Sequence, residues 1–310
     1  MSQARESAPA PVFSILIGRV STEDGARVLE ALDALRRQDG AFTYEVIIVD
    51  RLHDAVSARI RSAYPEAKLR FCASALSLPE MRAAALGEAR GRYIIVTEDH
   101  CVPVPSWLRT FYEGFTRHPD AAAIAGCVEN GVTDTALDWA TYLCEYAGYA
   151  PPVAEGDNAN LAGMNIAYRR EALDSVPQGS LTKGFWETTV HPILSAQGKK
   201  LVSSNAIRIQ HCKKFSFGLF ASQRLAYSRY FAGIRFGPDQ HLRRWFAAAA
   251  SPALPALLVW RLARAMRDKP AIAGPALRAL PFLLAFFVVW AVGEAIGYVA
   301  GPGAALREIE

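Results

Sequence analysis

Apolar and polar positions change their period along the first hundred residues. Phe13-Ser-Ile-Leu-Ile17 is a short, nearly unbroken apolar run, as expected of a strand buried in a parallel sheet. Ser21 to Asp24 then has the spacing of a capping box, and Val28, Leu29, Leu32 and Leu35 recur as one helical face. Tyr44-Glu-Val-Ile-Ile-Val49 predicts a second buried strand that ends on Asp50. A helix near 54–62, a strand over 68–72, a helix over about 79–90 and the strand Arg92-Tyr-Ile-Ile-Val-Thr97 follow. Strands and helices taking turns imply a doubly wound, mostly parallel α/β sheet. Ligands of such sheets bind at the carboxyl ends of the strands, where Asp50 and the group Glu98–His100 fall.

Beyond residue 120 the pattern is mixed, with a strand-like run over 121–128, a Gly- and Asn-rich loop around 155–165 and a helix near 187–197. After His211 aromatic residues (Phe215, Phe217, Phe220, Tyr227, Tyr230, Phe231, Trp245, Phe246) alternate with Arg224, Arg229, Arg235, Arg243 and Arg244. An interfacial helix has this composition; so does a core helix with a solvated basic face. Two apolar stretches come next. Phe246–Trp260 is short for a span and carries Pro252 and Pro255, whereas Ala279–Ala300 has about the length a spanning helix needs but contains Gly293, Glu294 and Gly297. If both crossed a membrane, the loop with Arg261, Arg264, Arg267, Lys269 and Arg278 would lie outside, against the positive-inside tendency. The expected arrangement is a first segment in the interface and a second that spans or re-enters. The expected domains are a disordered lead-in (1–11), a catalytic α/β domain (12–213), amphipathic interfacial helices (214–246) and a hydrophobic, membrane-associated region (247–310).

Composition sharpens this division. Of the 310 residues 51% are hydrophobic, with the excess concentrated after Ala247. A net charge of +4 suits an anionic ligand or a membrane surface, and without a Lys/Arg tract before residue 240 no nucleic-acid partner is expected. The five cysteines form no C-x-x-C pair and the first residues have no apolar h-region. Reduced thiols and a catalytic part at the cytoplasmic face of the inner (plasma) membrane are therefore expected.

The candidate chemistry sits in Thr97-Glu98-Asp99-His100-Cys101. In extended backbone Glu98 and His100 point to one side, and a carboxylate beside an imidazole is a usual pair for Mg²⁺ or Mn²⁺. An ion so held can bridge the two phosphates of a nucleotide-sugar. The continuation Cys101-Val-Pro-Val-Pro-Ser-Trp-Leu108 resembles the "DxD-x-V-P-x-P-x-W-L" segment of the family 2 inverting glycosyltransferases. Ser14–Ile17 and Glu45–Asp50 resemble the family's first two strands, Met81-Arg82-Ala83 its Arg-Asn position, and Ala89-Arg-Gly-Arg-Tyr93 its entry to the motif strand. Gly163-Met-Asn165 with Tyr168-Arg-Arg-Glu-Ala172, Gly184-Phe-Trp-Glu187 with Gly198, and Gln210-His211 are similar to later family segments, in the same order.

The resemblance covers about residues 13–235 and implies a GT-A fold (Rossmann-like, mostly parallel central sheet), here with C-terminal interfacial or transmembrane helices. It implies single-displacement sugar transfer with inversion from a nucleotide-sugar to a lipid-linked or other saccharide acceptor near a membrane. Glu187 takes the position of the general base, although a Glu at a helix start can also be a dipole partner. Glu98, His100 and His211 become candidate metal ligands, His211 with the alternative of a plain hydrogen-bonding histidine. Asp50, Arg51, Arg82, Glu98, Asp99, Asn165 and Trp186 become candidate nucleotide-sugar contacts.

Departures bear on the donor. The family's "P-T" is Gly18-Arg19 here, and its "D-D-G-S" is Asp50-Arg51-Leu52-His53. An Arg cannot accept from a pyrimidine N–H, so base recognition rests on Asp50 or differs, and Arg19 and Arg51 are candidates for phosphate contact. His in place of the second acid favours Mn²⁺ over Mg²⁺. A sugar nucleotidyltransferase would carry a Gly-rich loop after the first strand, and only Gly18 stands there. A catalytically inactive relative kept as a scaffold or binding subunit of a membrane complex is the other alternative.

Overall fold

The computed structural model describes residues 10–22, 25–237 and 239–309. Asp24 of the expected capping box and most of the expected lead-in lie outside them. The first half runs β1 (Phe13–Arg19), α1 (Arg27–Arg36), β2 (Tyr44–Asp50), α2 (Ala55–Ala63), β3 (Lys68–Phe71), α3 (Leu78–Glu88), β4 (Tyr93–Glu98), β5 (Cys101–Pro103), α4 (Trp107–Arg117) and β6 (Ala121–Asn130). Next come α5 (Ala136–Tyr146), β7 (Gly156–Asp157), β8 (Ile166–Arg169), α6 (Arg170–Asp174), α7 (Gln178–Gly184), α8 (Glu187–Ala196) and β9 (Lys200–His211). The chain then continues in helices alone: α9 (Phe217–Arg235), α10 (His241–Ala250), α11 (Leu254–Arg267), α12 (Pro270–Ala300) and α13 (Ala305–Glu308), with a 3₁₀ turn at Ser251–Ala253.

Among the described residues one sheet joins nine strands, in the order β3-β2-β1-β4-β8-β6-β9-β5 with β7 beside β9. β3, β2, β1 and β4 are mutually parallel, and β8 enters antiparallel between β4 and β6. The period of two divides β1 cleanly. Phe13, Ile15 and Ile17 join one core layer, which holds α1 and α4, and Leu16 joins the other, which holds α3 and α8. The carboxyl ends of β1, β2 and β4 meet at one edge of the sheet, and β5 pairs with the end of β9, Cys101 opposite His211.

The C-terminal helices are an extension of that core. Ala276, Ala279, Leu283, Phe286 and Phe287 of α12 pack in the same cluster as Phe13 and Phe111. The expected boundary at 246/247 falls inside α10, and the expected span from Ala279 is the latter part of a 31-residue helix that begins at Pro270 and carries Pro275 and Pro281. Two stretches, His241–Arg267 and Pro270–Ala300, are long and apolar enough to cross a membrane. α9 and α12 lie side by side, because Gly293 and Gly297 let the backbones approach. A methyl at Gly293 would stand 2.7 Å from the Leu225 carbonyl oxygen, and one at Gly297 would strike the carbonyl of Arg229. Glu294, between them, faces Arg235 at 3.4 Å and accepts from the Tyr298 hydroxyl at 3.0 Å. Overpacking a tight helix contact costs roughly 1–3 kcal/mol. Gly297→Leu should lower unfolding stability by about that amount, whereas Gly87→Ala in α3, where added atoms meet nothing within 4 Å, should not. Chemical denaturation of the two variants checks this.

Candidate active site

The end of β4 turns into β5 through Glu98-Asp99-His100, and three features hold the turn. Asp99, 2% exposed, accepts from the backbone N–H groups of Val20 and Ser21 at 2.8 and 2.9 Å and from the Ser21 hydroxyl at 2.6 Å. Its other task is His100, whose Nδ1 lies 2.9 Å from Asp99 Oδ1. His100 Nε2 points the other way, 3.3 Å from Glu98 Oε2 and 3.0 Å from Nε2 of His211. Asp99 is thus a support that aims the imidazole, and the expectation of a donor contact there is corrected: both of its oxygens are taken, and it lies behind His100.

Charge in this turn is mutually compensated. Burial alone would lower His100, but the Asp99 and Glu98 carboxylates hold it above the ordinary histidine value. Burial and the neighbouring His100 push His211 well below that value. His100 thus turns Nδ1 to Asp99 and Nε2 to Glu98 and His211. Burial works against the carboxylates too, yet His100 outweighs it and both Glu98 and Asp99 lie below their usual range.

Glu98 faces a cavity of about 290 Å³ with His100, His211, Arg82, Trp186 and Glu187 in its wall. Arg82, 3% exposed, spans the cavity: its guanidinium lies 3.3 Å from Glu98 and 3.6 Å from Glu187. Glu187 opens α8 and accepts 2.6 Å from the Trp186 indole N–H. Its carboxyl rests on Gly163, where a Cβ would come within 2.9 Å of Oε1 and closer still to the rest of the group; only glycine leaves room. Burial raises Glu187 above the ordinary carboxyl value, and the pull of Arg82 does not cancel the shift.

Several expected contacts lie elsewhere. Asp50, fully buried, is bound to Arg19 at 3.0 Å and to the Ser57 hydroxyl at 2.6 Å, and it accepts from Leu52 N–H at 2.8 Å. Arg19 is equally buried and also meets Asp54 at 2.7 Å, so neither Asp50 as base reader nor Arg19 as phosphate contact fits. Arg19 draws the Asp54 carboxyl down to about 2. Asn165 has no exposed surface; it donates to the Cys127 carbonyl at 2.7 Å and accepts from Trp107 Nε1 at 2.7 Å, pinning β8 to β6 and α4. Arg51 reaches the carbonyls of Leu76, Arg307 and Ile309.

The rest of the wall was not foreseen: Glu145, Tyr146, Tyr149, Gln223, Arg224, Tyr227 and Trp290. Arg224 is buried against Glu145 and lies over the rings of Phe220, Tyr227 and Trp290. Only Arg224 and Tyr227 had a sequence signal, the aromatic and basic run after His211, which says nothing of which face turns inward.

The residues fit a divalent ion. Glu98, His100 and Cys101 present ligand atoms within 4.8 Å of one another, and His211 adds an imidazole nitrogen on the same side. Asp99 behind His100 is the carboxylate that ordinarily orients a metal-bound histidine. Burial raises the Cys101 thiol well above its usual value, and Glu98, His100 and His211 offer a carboxylate and two imidazole nitrogens as candidate ligands.

The model of the family described as glycosyl transferase family 2 matches residues 21–176. Among solved structures, the mannosyltransferase PcManGT from Pyrobaculum calidifontis, in complex with GDP-Man and Mn²⁺, is similar over 92% of this chain and 87% of its own, at 17% identity and a TM-score of 0.54. TarS of S. aureus is similar over 91% of each chain at 11% identity and a TM-score of 0.48. No curated protein matches the sequence. The likeness to the mannosyltransferase is one of fold.

Asp99→Ala should leave two buried N–H groups and the His100 Nδ1 without their partner. Leaving a buried hydrogen-bonding group unpaired costs roughly 1–3 kcal/mol; urea unfolding of the variant measures it, and a loss below about 1 kcal/mol would remove Asp99 from its central place.

Proposed function

The chain belongs to glycosyl transferase family 2, and from that membership we propose an inverting transfer of a sugar from a nucleotide-sugar to a lipid-linked or other saccharide acceptor at a membrane surface. One observation carries the reading. Glu187 and Glu98 share a cavity, bridged by Arg82 at 3.6 and 3.3 Å, so a proton acceptor and a diphosphate-binding end lie across one reacting centre.

In this reading Glu187 removes the proton of the acceptor hydroxyl as that oxygen attacks the anomeric carbon and the bond to the diphosphate breaks. A raised carboxyl is a better base than an ordinary one. The Trp186 indole and Gly163 hold it in place. Arg82 supplies two or more N–H donors for the departing diphosphate. Glu98, His100 and His211 would hold Mn²⁺ or Mg²⁺, which when bound neutralises charge beside the leaving group. His100 would then present a deprotonated Nε2, its Nδ1–H still on Asp99. The mannosyltransferase of similar fold was solved with GDP-Man and Mn²⁺, which supports both a nucleotide-sugar donor and a divalent ion here.

The outward apolar residues Leu242, Trp245, Phe246, Trp260, Leu277, Val288 and Val292, beside the arginines of α10 and α11, support attachment to the cytoplasmic face of a membrane. The engagement of Asp50 and Arg51 with other parts of the chain favours the second reading, an inactive scaffold of a membrane complex.

Glu187→Gln should slow transfer roughly 10²–10⁴-fold with metal-dependent nucleotide binding near wild type; transfer at the wild-type rate would sink the base assignment. Because burial raises Glu187, the wild-type rate should fall as pH drops through a value above the ordinary glutamate range, about 4.3, and kcat against pH measures that limb. UDP-, GDP- and dTDP-sugars tested with and without Mn²⁺ should include one that stabilises the protein, by about 2.7 kcal/mol at a hundredfold its Kd. Thermal unfolding reads this, and no metal-dependent shift from any of them favours the scaffold.

A further inference from the structure

The segment that follows α12 returns to the cavity. Gly301 and Gly303, with φ of 77° and 55°, turn the chain back, and the short α13 brings Ile309 into the cavity wall beside Leu78, Arg82 and Glu98. Ala305 and Ile309, 2% and 4% exposed, pack with Trp186 and Ala226 and with the half-buried Tyr227, Tyr230 and Phe231. Side chains from two sides hold the backbone. Arg51, just past β2, donates to the carbonyls of Arg307 and Ile309 at 3.3 and 3.1 Å. From α9, Gln223 donates to the Glu308 carbonyl at 2.9 Å and Arg229 to that of Gly301 at 3.2 Å. The segment thus crosses from the end of β2 to the residue beside Glu187.

We propose that residues 301–309 form a strap over the nucleotide end of the cavity, and that a donor nucleotide binds only as the strap is displaced. The inference rests on the donor-site reading above. Three observations converge on it. Nucleotides of α/β sheets bind beyond the carboxyl ends of the strands, which is where Arg51 grips the strap. The cavity, at about 290 Å³, lies at the lower limit of about 300–1,000 Å³ for sites of drug-sized ligands, too small for a nucleoside diphosphate-sugar together with an acceptor. The strap is also the piece of wall most easily moved. It is attached through backbone carbonyls and the apolar side chains of Ala305, Leu306 and Ile309, and a four-residue helix has little stability of its own. Its direct continuation from α12 would let seating of the apolar helices on a lipid surface bias the closed and open states.

A site open for only part of the time binds with an apparent Kd raised by the inverse of the open fraction. Two variants release the strap without touching Glu98, His100, His211 or Glu187: Ala305→Asp with Ile309→Asp, and a chain ending at Ala300. Calorimetric titration of detergent-solubilised wild type and both variants with UDP and with GDP, in the presence of Mn²⁺, reads the effect. The expected result is tightening of about tenfold or more in both variants, with faster amide hydrogen exchange over 301–309 when wild type takes up nucleotide. Equal affinity in all three proteins overturns the strap, as does protection of 301–309 by nucleotide. Weaker binding in the variants would make the segment a fixed wall of the donor site and overturn the strap likewise. No binding by any of the three removes the donor reading itself, and the strap falls with it.

Discussion

A single buried histidine organises this protein. His100 lies between Asp99 and Glu98 with 3% of its surface exposed, where an unpaired charge would be intolerable. Everything that stabilises it also joins separate parts of the sheet. Asp99 reaches it from β4's end while fastened to two amides just past β1. His211 reaches it from the end of β9, which is aligned because β5 pairs with β9 directly after the turn. The carboxyl ends of three strands are thereby drawn to one point, and Glu98 and Arg82 inherit their positions from it. The cost of burying charge is offset only while all partners are in place, so the cluster tolerates little change in geometry.

Legibility of the sequence followed the range of the interactions. β1, β2 and β4 were plain because their apolar runs report burial directly. The glycine of Gly163-Met-Asn165 was visible as a motif, and its physical reason, a carboxyl lying on it, emerges only in three dimensions. Three-dimensional partners also decided the misplaced residues. Asp50 at a strand end is equally compatible with a ligand or an arginine, and Arg19, thirty-one positions away, settles the matter. Asn165 had the same ambiguity, resolved by the carbonyl of Cys127 and the indole of Trp107. No local signal marks a chain segment that folds back across 256 residues to meet Arg51. The β9 strand was missed beyond its last two residues because Ser203, Ser204 and Asn205 interrupt its apolar pattern.

The packing of the helices after β9 was not legible for a related reason. Length and hydropathy see α12 as an isolated rod, about 46 Å long at 1.5 Å per residue, against a hydrocarbon layer of about 30 Å. In the fold it is not isolated. From Ile272 to Tyr298 one face is buried, first on α5 and then on α9. α9 carries Gln223, Arg224, Arg229 and Arg235 along the same stretch, and Arg224 belongs to the wall of the cavity.

That companionship bears on the membrane attachment proposed above. Were α12 to cross the bilayer upright, α9 would be carried in with it, and its arginines would sit at depths where each costs several kcal/mol unless paired. Arg224 has Glu145 as partner and Arg235 has Glu294, but Gln223 and the cavity itself would still be drawn toward hydrocarbon, away from a water-soluble nucleotide. Lying along the surface removes the conflict. The stripe Leu277, Leu284, Val288, Val292 and Val299 faces away from α9, as do the exposed aromatics of α10 and α11, so one broad apolar face can enter the headgroup boundary while the sheet remains in water. Such a placement would set the stretch of cavity wall where Tyr227 of α9 and Trp290 of α12 meet toward the lipid surface. An acceptor anchored in that surface would reach Glu187 without leaving it, which is a physical reason for fusing an interfacial helix to the wall of a sugar-transfer site rather than tethering it by a linker.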